Sequence, residues 1–550
     1  MQKSSHNGPG HELPPSAQRF LQQVTRSMRY RRRVRRDVEA ELVSHFEDAL
    51  RGCEGSQERE RKARDLIESF GDPHLLGVLC RRAKKRCRPL WRRVLVRSVQ
   101  VVGIVVLYLA VCSAPLFLGE PVIRVNYVEW LNRRWQPDAT GAANAKEFYD
   151  EAAETYVPPP AILETKQAYG SAFSRSTVEW LSGYNAEEKQ ALEAWLRENQ
   201  PAFDLLREGA ETDDYWPVYE ADGPMPVDLA LASQMQQMAA YRRVVLAFRE
   251  QIAWKASLGR TEEALVDCLV LQAMGRHLQG KGSLADQLVG ISIESLCYDS
   301  IAIILKRSDL PTSALARLQE QLETRFNLHR RVVNLDSEKA IWYDQIQRHF
   351  TDDGHGGGHA LKGGLPFAAG DLGENVLRTL LFDYPDRREA TAMVECYFDR
   401  AAQKLATMPR RAELGNRVDE GGSPTENLLL ALVSPAHDRV IRQAWRLKTH
   451  EAATLTLVPI RRYALDHGRY PAALDRLVER RYLRELPADP FGEGPLTYRR
   501  TDEGFLLYSW GANLEDDGGR GDTDARGDRN RWAESGDWVF WPIEGEKLVD

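Results

Sequence analysis

An uncharged apolar segment, residues 98–119, constrains the fold of this 550-residue chain more than any other feature. A helix of that length would extend about 33 Å, which matches the ~30 Å hydrocarbon core of a bilayer. The alternative is a helix buried in a soluble core. The length and the one-sided basic flank described next favour one membrane span over residues 98–119.

The charges beside this segment predict its orientation. Residues 81–97 carry nine basic side chains and no acidic one, whereas residues 120–134 are nearly balanced. Because basic residues flank the cytoplasmic end of a span, the N-terminus is predicted to be cytoplasmic and residues 120–550 periplasmic. About a hundred residues precede the segment, which argues against a cleaved signal peptide. Pro115 lies where a helix end is tolerated. The predicted location is the bacterial inner membrane.

The net charge of −6 conceals two different regions. Residues 1–100 carry a surplus of eleven positive charges, and the rest of the chain carries a surplus of seventeen negative ones. The basic run is explained by anionic membrane lipid, so lipid is an expected partner and nucleic acid is not. A mean hydropathy of −0.47 excludes a polytopic membrane protein, and seven scattered cysteines without a CxxC pair exclude a disulfide framework.

Residues 1–14 are predicted to be a disordered tail, and residues 15–90 a helical domain. Apolar residues recur at helical spacing in residues 16–28, 35–50 and 60–70. The third helix is predicted to stop at Gly71, and Pro73 begins the next one.

This pattern resembles the HAAS signalling domain, which is related to the permease prefix domain. The resemblance is carried by the turn at residues 70–73 and by Glu39, Glu41, Leu42, His45, Glu47 and Asp48. It implies a cytoplasmic module for protein–protein signalling, which agrees with the predicted orientation. His45 by itself is more typical of packing than of metal binding.

Residues 138–350 are predicted to form an external stack of α-helical hairpins. The segment around Gly259 has small residues before the glycine and acidic residues after it, and it resembles a tetratricopeptide-like hairpin. A Gly-rich flexible loop is predicted at residues 351–384, followed by a helix and linker at residues 385–423.

Two motifs in this region of the chain suggest a binding site, one for phosphate and one for a metal ion. Residues 275–282 nearly match a phosphate-binding loop, but Gly282 stands where Ser or Thr is required and no strand precedes it. His355 and His359, with Asp352 and Asp353, are candidate metal ligands, but the four glycines among them favour a surface loop.

Residues 424–550 are predicted to form an α+β module. A long helix, kinked or split at Pro435 and Pro459, precedes a short helix and a hairpin of residues 495–500 and 504–511. Residues 537–543 are expected to add an edge strand. This order resembles the C-terminal domain of the major pseudopilin of type II secretion. The matching residues are Tyr463, 468–471, Leu483, Pro487, 489–492, Tyr498 and 508–513.

The resemblance implies a structural calcium ion in the loop after the hairpin. The candidate ligands are Asn513, Asp516, Asp517, Asp522 and Asp524, since closely spaced oxygen ligands on a Gly-rich loop suit Ca²⁺. Asn513 replaces the family's aspartate, and three arginines interrupt the loop. A solvated acidic loop paired with those arginines is the alternative. A true pseudopilin also begins with a hydrophobic helix, whereas this module ends the chain.

These predictions describe a mainly α, multidomain protein: a cytoplasmic helical bundle, one transmembrane helix, an external α-hairpin stack and a C-terminal α+β module with a small antiparallel sheet. The predicted function is non-enzymatic, as a signalling or interaction component with unknown protein partners on both sides of the membrane. Two alternatives are a scaffold of a secretion-like system and, through the His355/His359 loop, a metal-dependent enzyme.

Overall fold

The computed structural model confirms a mainly helical chain with one small antiparallel sheet. It divides into two compact units, Met1–Ser113 and Ala114–Asp550. The structure describes residues 13–53, 55–86, 90–138, 141–163, 184–220, 225–306, 310–361, 386–410, 428–502, 504–522 and 531–542.

Over its described residues, unit 1 has four amphipathic helices and one apolar helix. Their bounds are α1 Pro15–Ser27, α2 Arg32–Ala49, α3 Ser56–Phe70, α4 Pro73–Arg86 and α5 Leu90–Ser113. The first four helices cover a core centred on three aromatic rings, those of Phe20, Phe46 and Phe70, whose centroids lie 5.8–6.2 Å apart. The four predicted helices are confirmed.

The turn at residues 70–73 orients α4 against this core. Phe70 packs on Phe20 and meets the edge of His45 at 5.6 Å, so His45 serves in packing. Gly71 adopts a positive φ of 74° and ends α3, and the carboxylate of Asp72 accepts a hydrogen bond from the His74 amide at 2.9 Å. The residues of this turn therefore have a structural role in connecting α3 to α4.

Helix α5 exposes most of its apolar side chains between Val94 and Val111. Its segment Val94–Val111 is long and apolar enough to cross a membrane, and none of it is buried in protein. The α-helix ends at Ser113, before the predicted limit at Gly119, and a 3-10 turn covers Ala114–Phe117. Pro115 lacks an amide hydrogen and cannot continue the α-helical hydrogen bonding, which explains the earlier end.

Unit 2 contains thirteen described helices and three strands. The helices are α6 Tyr127–Trp135, α7 Ala145–Thr155, α8 Ala186–Glu198, α9 Gln200–Glu211, α10 Val227–Ser233, α11 Met235–Ser257, α12 Thr261–Leu278, α13 Leu284–Ile304, α14 Thr312–Arg325, α15 Asp336–His349, α16 Arg387–Ala406, α17 Leu428–His467 and α18 Asp475–Glu479. One continuous core runs from Ala145 to Trp541. Residues of the predicted stack and of the predicted C-terminal module therefore share the same core.

Helix α13 lies at the centre of that core. It contacts α11, α12 and α17, and although it is also apolar enough to span a membrane, 67% of it is buried in protein. Its approach to α12 is close, because a Cβ atom on Gly290 would lie 2.6 Å from the carbonyl oxygen of Gly275. A side chain at either position would force the two helices apart.

Helix α17 runs unbroken for 40 residues through Pro435 and Pro459. Of the two predicted alternatives, a kink or a split at these prolines, the split is therefore wrong. An interior proline costs about 3 kcal/mol through a lost hydrogen bond and steric conflict. Contacts of α17 with α13, α14, α16 and strand β2 offset that cost by burying the middle of the helix.

The sheet has the order β1-β2-β3, with β1 Thr497–Arg500, β2 Phe505–Ser509 and β3 Trp538–Trp541, all antiparallel. Arg500 pairs with Phe505 across the predicted hairpin turn, and Ser509 pairs with Trp538. Every residue of the central strand β2 is buried. The predicted hairpin and the predicted edge strand are both confirmed.

A buried charge cluster connects α12, α13, α17 and the segment before α15. Glu294 is fully buried and accepts hydrogen bonds from Arg276 at 2.8 Å and Arg330 at 3.0 Å. Arg276 also bonds to Glu451 on α17, which is 1% exposed. Burial raises the pKa of Glu294, but the charges of Arg330 and Arg276 outweigh the effect of burial and hold that pKa below its usual value. The cluster therefore holds a charged carboxylate inside the core.

We expect Glu294→Gln to lower the free energy of unfolding of unit 2 by about 3 kcal/mol, because it leaves Arg276 and Arg330 short of one buried negative charge. Urea unfolding of the purified full chain, followed by tryptophan fluorescence, measures this loss. Glu263→Gln is the matched control, since its pair with Arg260 is about half exposed and contributes little. Equal losses in the two variants would contradict the role given to the cluster.

We expect Gly290→Ala to destabilise unit 2 by about 1–3 kcal/mol, because the added methyl group meets the backbone of α12. Thermal unfolding of the full chain measures the shift. Gly494→Ala is the control, since no atom lies within 4 Å of its added Cβ. A Gly290→Ala melting temperature equal to that of the control would refute the close approach.

Candidate functional site

The loop that carries the predicted calcium ligands, residues 512–528, is called the acidic loop, and it lies between β2 and β3. The two ends of the loop meet where Gly521 pairs with Gly536, and the amide of Asp537 donates a hydrogen bond to the carbonyl of Arg520 at 2.9 Å. Gly536 has a φ of 78°, and a Cβ there would lie 2.8 Å from the Arg520 carbonyl oxygen. Glycine at this position therefore lets the start of β3 approach residues 516–520.

Three of the five predicted ligands belong to one turn of this loop. The Asn513 side-chain amide donates a hydrogen bond to Asp517 at 2.8 Å. The Tyr508 hydroxyl and the Gly518 amide each donate to Asp516 at 2.9 Å. Asp522 instead accepts a hydrogen bond from Ser535, and Asp524 lies outside the described residues. The structure therefore brings together Asn513, Asp516 and Asp517.

Asp537 is the site residue that the sequence did not predict. It is 1% exposed, and its Oδ2 accepts a hydrogen bond from the Gly519 amide at 2.6 Å. Its Oδ1 is buried and has no hydrogen-bond partner among the described residues. In the sequence, Asp537 marks only the start of an apolar strand, so its position beside the loop depends on the strand pairing.

The electrostatics of this carboxylate are unfavourable without a cation. Burial, together with the neighbouring charges of Asp516 and Asp517, raises the pKa of Asp537 to about 6, although two backbone hydrogen bonds act to lower it. A divalent cation would relieve this repulsion and supply a partner for the bare Oδ1 atom.

The donor chemistry fits a hard cation such as Ca²⁺, which takes six to eight oxygen ligands and accepts carbonyl and water oxygens as well as carboxylates. Asp537 would hold the ion, with Asp516 and Asp517 supplying further charge. Across the described ranges, no three carboxylate, imidazole or thiolate side chains already stand at ligating distance from one another. Backbone oxygens and water would therefore complete the coordination.

The motif at residues 489–492 contacts the strands from which the acidic loop departs. Asp489 is buried and accepts hydrogen bonds from the Phe491 amide at 3.0 Å and from Ser509 at 2.8 Å. Burial raises the pKa of Asp489 to about 6. The Phe491 ring meets Trp538 at 4.6 Å. Asp489 and Phe491 thus fix the ends of β2 and β3 from which the loop departs.

In the His355/His359 segment, the side chains of His359, Asp352 and Asp353 have protein partners. His359 contacts the Leu118 carbonyl at 2.8 Å through Nε2 and Thr351 at 3.2 Å through Nδ1. Asp352 pairs with Arg124 at 2.8 Å and Arg387 at 2.7 Å. Asp353 accepts hydrogen bonds from two amides of its own turn, those of His355 and Gly357. These contacts close residues 351–361 into a hairpin and leave His359 no ring nitrogen for a metal. Most of the predicted loop, residues 362–384, lies outside the described residues.

The phosphate-loop-like segment is also structural. Residues 275–278 belong to α12, and the carbonyl of Gly282 accepts hydrogen bonds from Gln287 at 3.1 Å and Ser337 at 2.6 Å. A helix, α12, leads into the segment where a phosphate-binding loop would follow a strand. The segment therefore joins two core helices.

No protein-family model, no curated protein and no solved structure matches this chain. The HAAS-like, tetratricopeptide-like and pseudopilin-like interpretations rest on the residues named above.

We expect calcium to raise the melting temperature of the full chain, and Asp537→Asn to abolish that rise. At a hundredfold excess over the dissociation constant the gain is about 2.7 kcal/mol. Calorimetry with Ca²⁺ or EDTA measures it. Asp502→Asn, a change in the exposed hairpin turn, is the control and should keep the full calcium response.

The same substitution should change the pH dependence in EDTA. The pKa of Asp537 is about 6 in the folded chain and about 4 in an unfolded one, so between those values the folded chain holds the extra proton. Stability without calcium therefore falls as the pH rises through this window, and Asp537→Asn should flatten that fall. A calcium response that survives in Asp537→Asn would remove this residue from the site.

Proposed function

We propose that this chain is a single-pass protein of a bacterial inner membrane. Helices α1–α4 of unit 1 are its cytoplasmic interaction module, α5 is the membrane span, and unit 2 is its periplasmic body. In this proposal the protein signals or assembles through protein contacts and not through catalysis. Calcium in the acidic loop would stabilise the C-terminal region of unit 2.

The observation that carries this proposal is the contrast between the two apolar helices. Both α5 and α13 are long and apolar enough to cross a membrane, but α13 is largely covered by protein and the Val94–Val111 segment of α5 is not. Ile104 is 67% exposed, and most of its apolar neighbours on α5 are similarly uncovered. Burying such a surface in lipid is strongly favourable at about 25 cal/mol per Å².

The charges support the proposed orientation. Nine basic residues precede the apolar segment within positions 81–97, and the chain beyond it carries a large negative surplus. Retaining the basic side in the cytoplasm satisfies the positive-inside rule and places the residues next to anionic lipid headgroups. The acidic loop would then lie in the compartment that is exposed to external calcium.

The arrangement of the compact units supports an interaction function. The division between them falls at Ser113, where α5 ends, so a folded bundle precedes the apolar helix and a large folded body follows it. A protein with a folded region on each side of a membrane can couple binding events across it. The HAAS-like residues of unit 1 support a signalling role for the cytoplasmic region.

Native cysteines allow a direct test of the orientation. Cys396 in unit 2 is exposed, and Cys53 and Cys80 in unit 1 are partly exposed. We expect a membrane-impermeant maleimide to label Cys396 in intact spheroplasts and to reach Cys53 and Cys80 only after lysis. Cys396→Ser is the control and should remove the label from intact spheroplasts. Labelling of Cys53 before lysis, with Cys396 protected, would reverse the proposed orientation.

The interaction function is tested by crosslinking in membranes, with the full chain and a chain lacking residues 15–86 as baits. We expect cytoplasmic partners to be lost with the deletion and periplasmic ones to remain. Identical partners and an unchanged phenotype in the deleted chain would refute coupling across the membrane.

A further inference from the structure

A cavity of 420 Å³ lies in unit 2 between the segment before α15, helix α16 and helix α17. Its volume falls within the ~300–1,000 Å³ range of small-molecule sites. The cavity does not involve the acidic loop or the charge pairs described above, except that Arg330 lines its wall.

Lys448 is the unusual residue of this cavity. The residue is 5% exposed, and its ammonium lies 4.1 Å from the centre of the Trp445 ring. Among the described residues, no carboxylate lies within ion-pair distance of it and no acceptor bonds to it. The aromatic face attracts the ammonium but carries no net negative charge. Lys448 thus presents an uncompensated positive charge to the cavity.

The surrounding charges do not neutralise it. Arg330 is committed to Glu294, at 3.0 Å, and adds its own positive field. Arg331 and Lys339 also line the cavity. Of the two acidic lining residues, Asp336 pairs with Arg134 at 3.2 Å and Asp399 is exposed. Burial and the charge of Arg330 lower the pKa of Lys448 to about 8, against the attraction of Glu451, so the ammonium remains charged near neutral pH.

Much of the remaining wall is apolar and is formed by Val333, Leu335, Phe398, Ala402, Leu405 and Ala444. The polar residues His329 and Asn334 also line it. A single buried ammonium beside an apolar wall suits a molecule with one negative group and an apolar body. A free inorganic anion would leave the apolar wall unused, and a neutral apolar molecule would leave Lys448 unpaired.

We propose that this cavity binds a small organic carboxylate, whose head pairs with Lys448 and whose apolar body packs against Phe398 and Leu335. The site is independent of calcium and of the proposed membrane orientation. Binding would give the buried ammonium the partner that it lacks. It would also connect α16 and α17 through a ligand.

The test uses 4-phenylbutyrate and isothermal titration of the purified full chain in a non-ionic detergent. We expect 1:1 binding, with an affinity at least tenfold weaker in Lys448→Met, which keeps the length of the side chain and removes its charge. Lys404→Met is the matched control, because Lys404 lies on α16, pairs with the partly exposed Asp438 and does not line the cavity. It should bind as the wild type does.

Two further titrations test separately whether binding requires the negative charge of the ligand and its apolar body. The neutral 4-phenylbutanamide should bind the wild type no better than it binds Lys448→Met, and inorganic phosphate should bind more weakly than 4-phenylbutyrate. Ala402→Trp fills the cavity from an exposed position, so it should abolish binding while the melting temperature stays unchanged. Equal affinity for acid and amide, equal affinity in wild type and Lys448→Met, or tighter binding of phosphate would each overturn the proposal.

Discussion

The buried pairing of Arg276 and Arg330 with Glu294 and Glu451 is the interaction on which unit 2 depends. Glu294 lies on α13, the most central helix, and Glu451 lies on α17, far along the chain. Charges this deep require partners, because an unpaired buried ion costs several kcal/mol. The four side chains can be satisfied only when α12, α13, α17 and the segment before α15 are assembled together. The cluster therefore joins the helical middle and the C-terminal module into a single cooperative body.

This assembly positions both proposed sites. Helix α17 carries Lys448 into the cavity, three residues before Glu451 and beside Trp445. The same helix packs against β2, whose ends are fixed by Asp489 and Phe491. The acidic loop leaves from that fixed strand and meets Asp537 at the start of β3. A loss of the buried cluster would thus be expected to disturb the loop and the cavity together.

The acidic loop and the cavity differ in the sign of their buried charge. In the loop, Asp516, Asp517 and Asp537 crowd negative charge around a buried oxygen, which calls for a cation. In the cavity, Lys448 presents a buried positive charge without a carboxylate partner among the described residues, which calls for an anion. Each site is defined by a polar group that the fold buries and leaves uncompensated.

Local patterns in the sequence were sufficient to predict the helices of unit 1, the apolar segment, and the β1–β2 hairpin with its added strand. Each of these depends on neighbours along the chain: helical periodicity, an absence of charge over one membrane thickness, and alternation with turn residues. They could not predict that α17 continues through Pro435 and Pro459, because the packing that offsets the prolines comes from distant helices. They could not show that α13 is covered by protein while α5 is exposed, since both helices are long and apolar enough to span a membrane. Asp537 and Lys448 are unremarkable in the sequence, and only tertiary structure buries them, because burial depends on contacts between segments far apart in the chain.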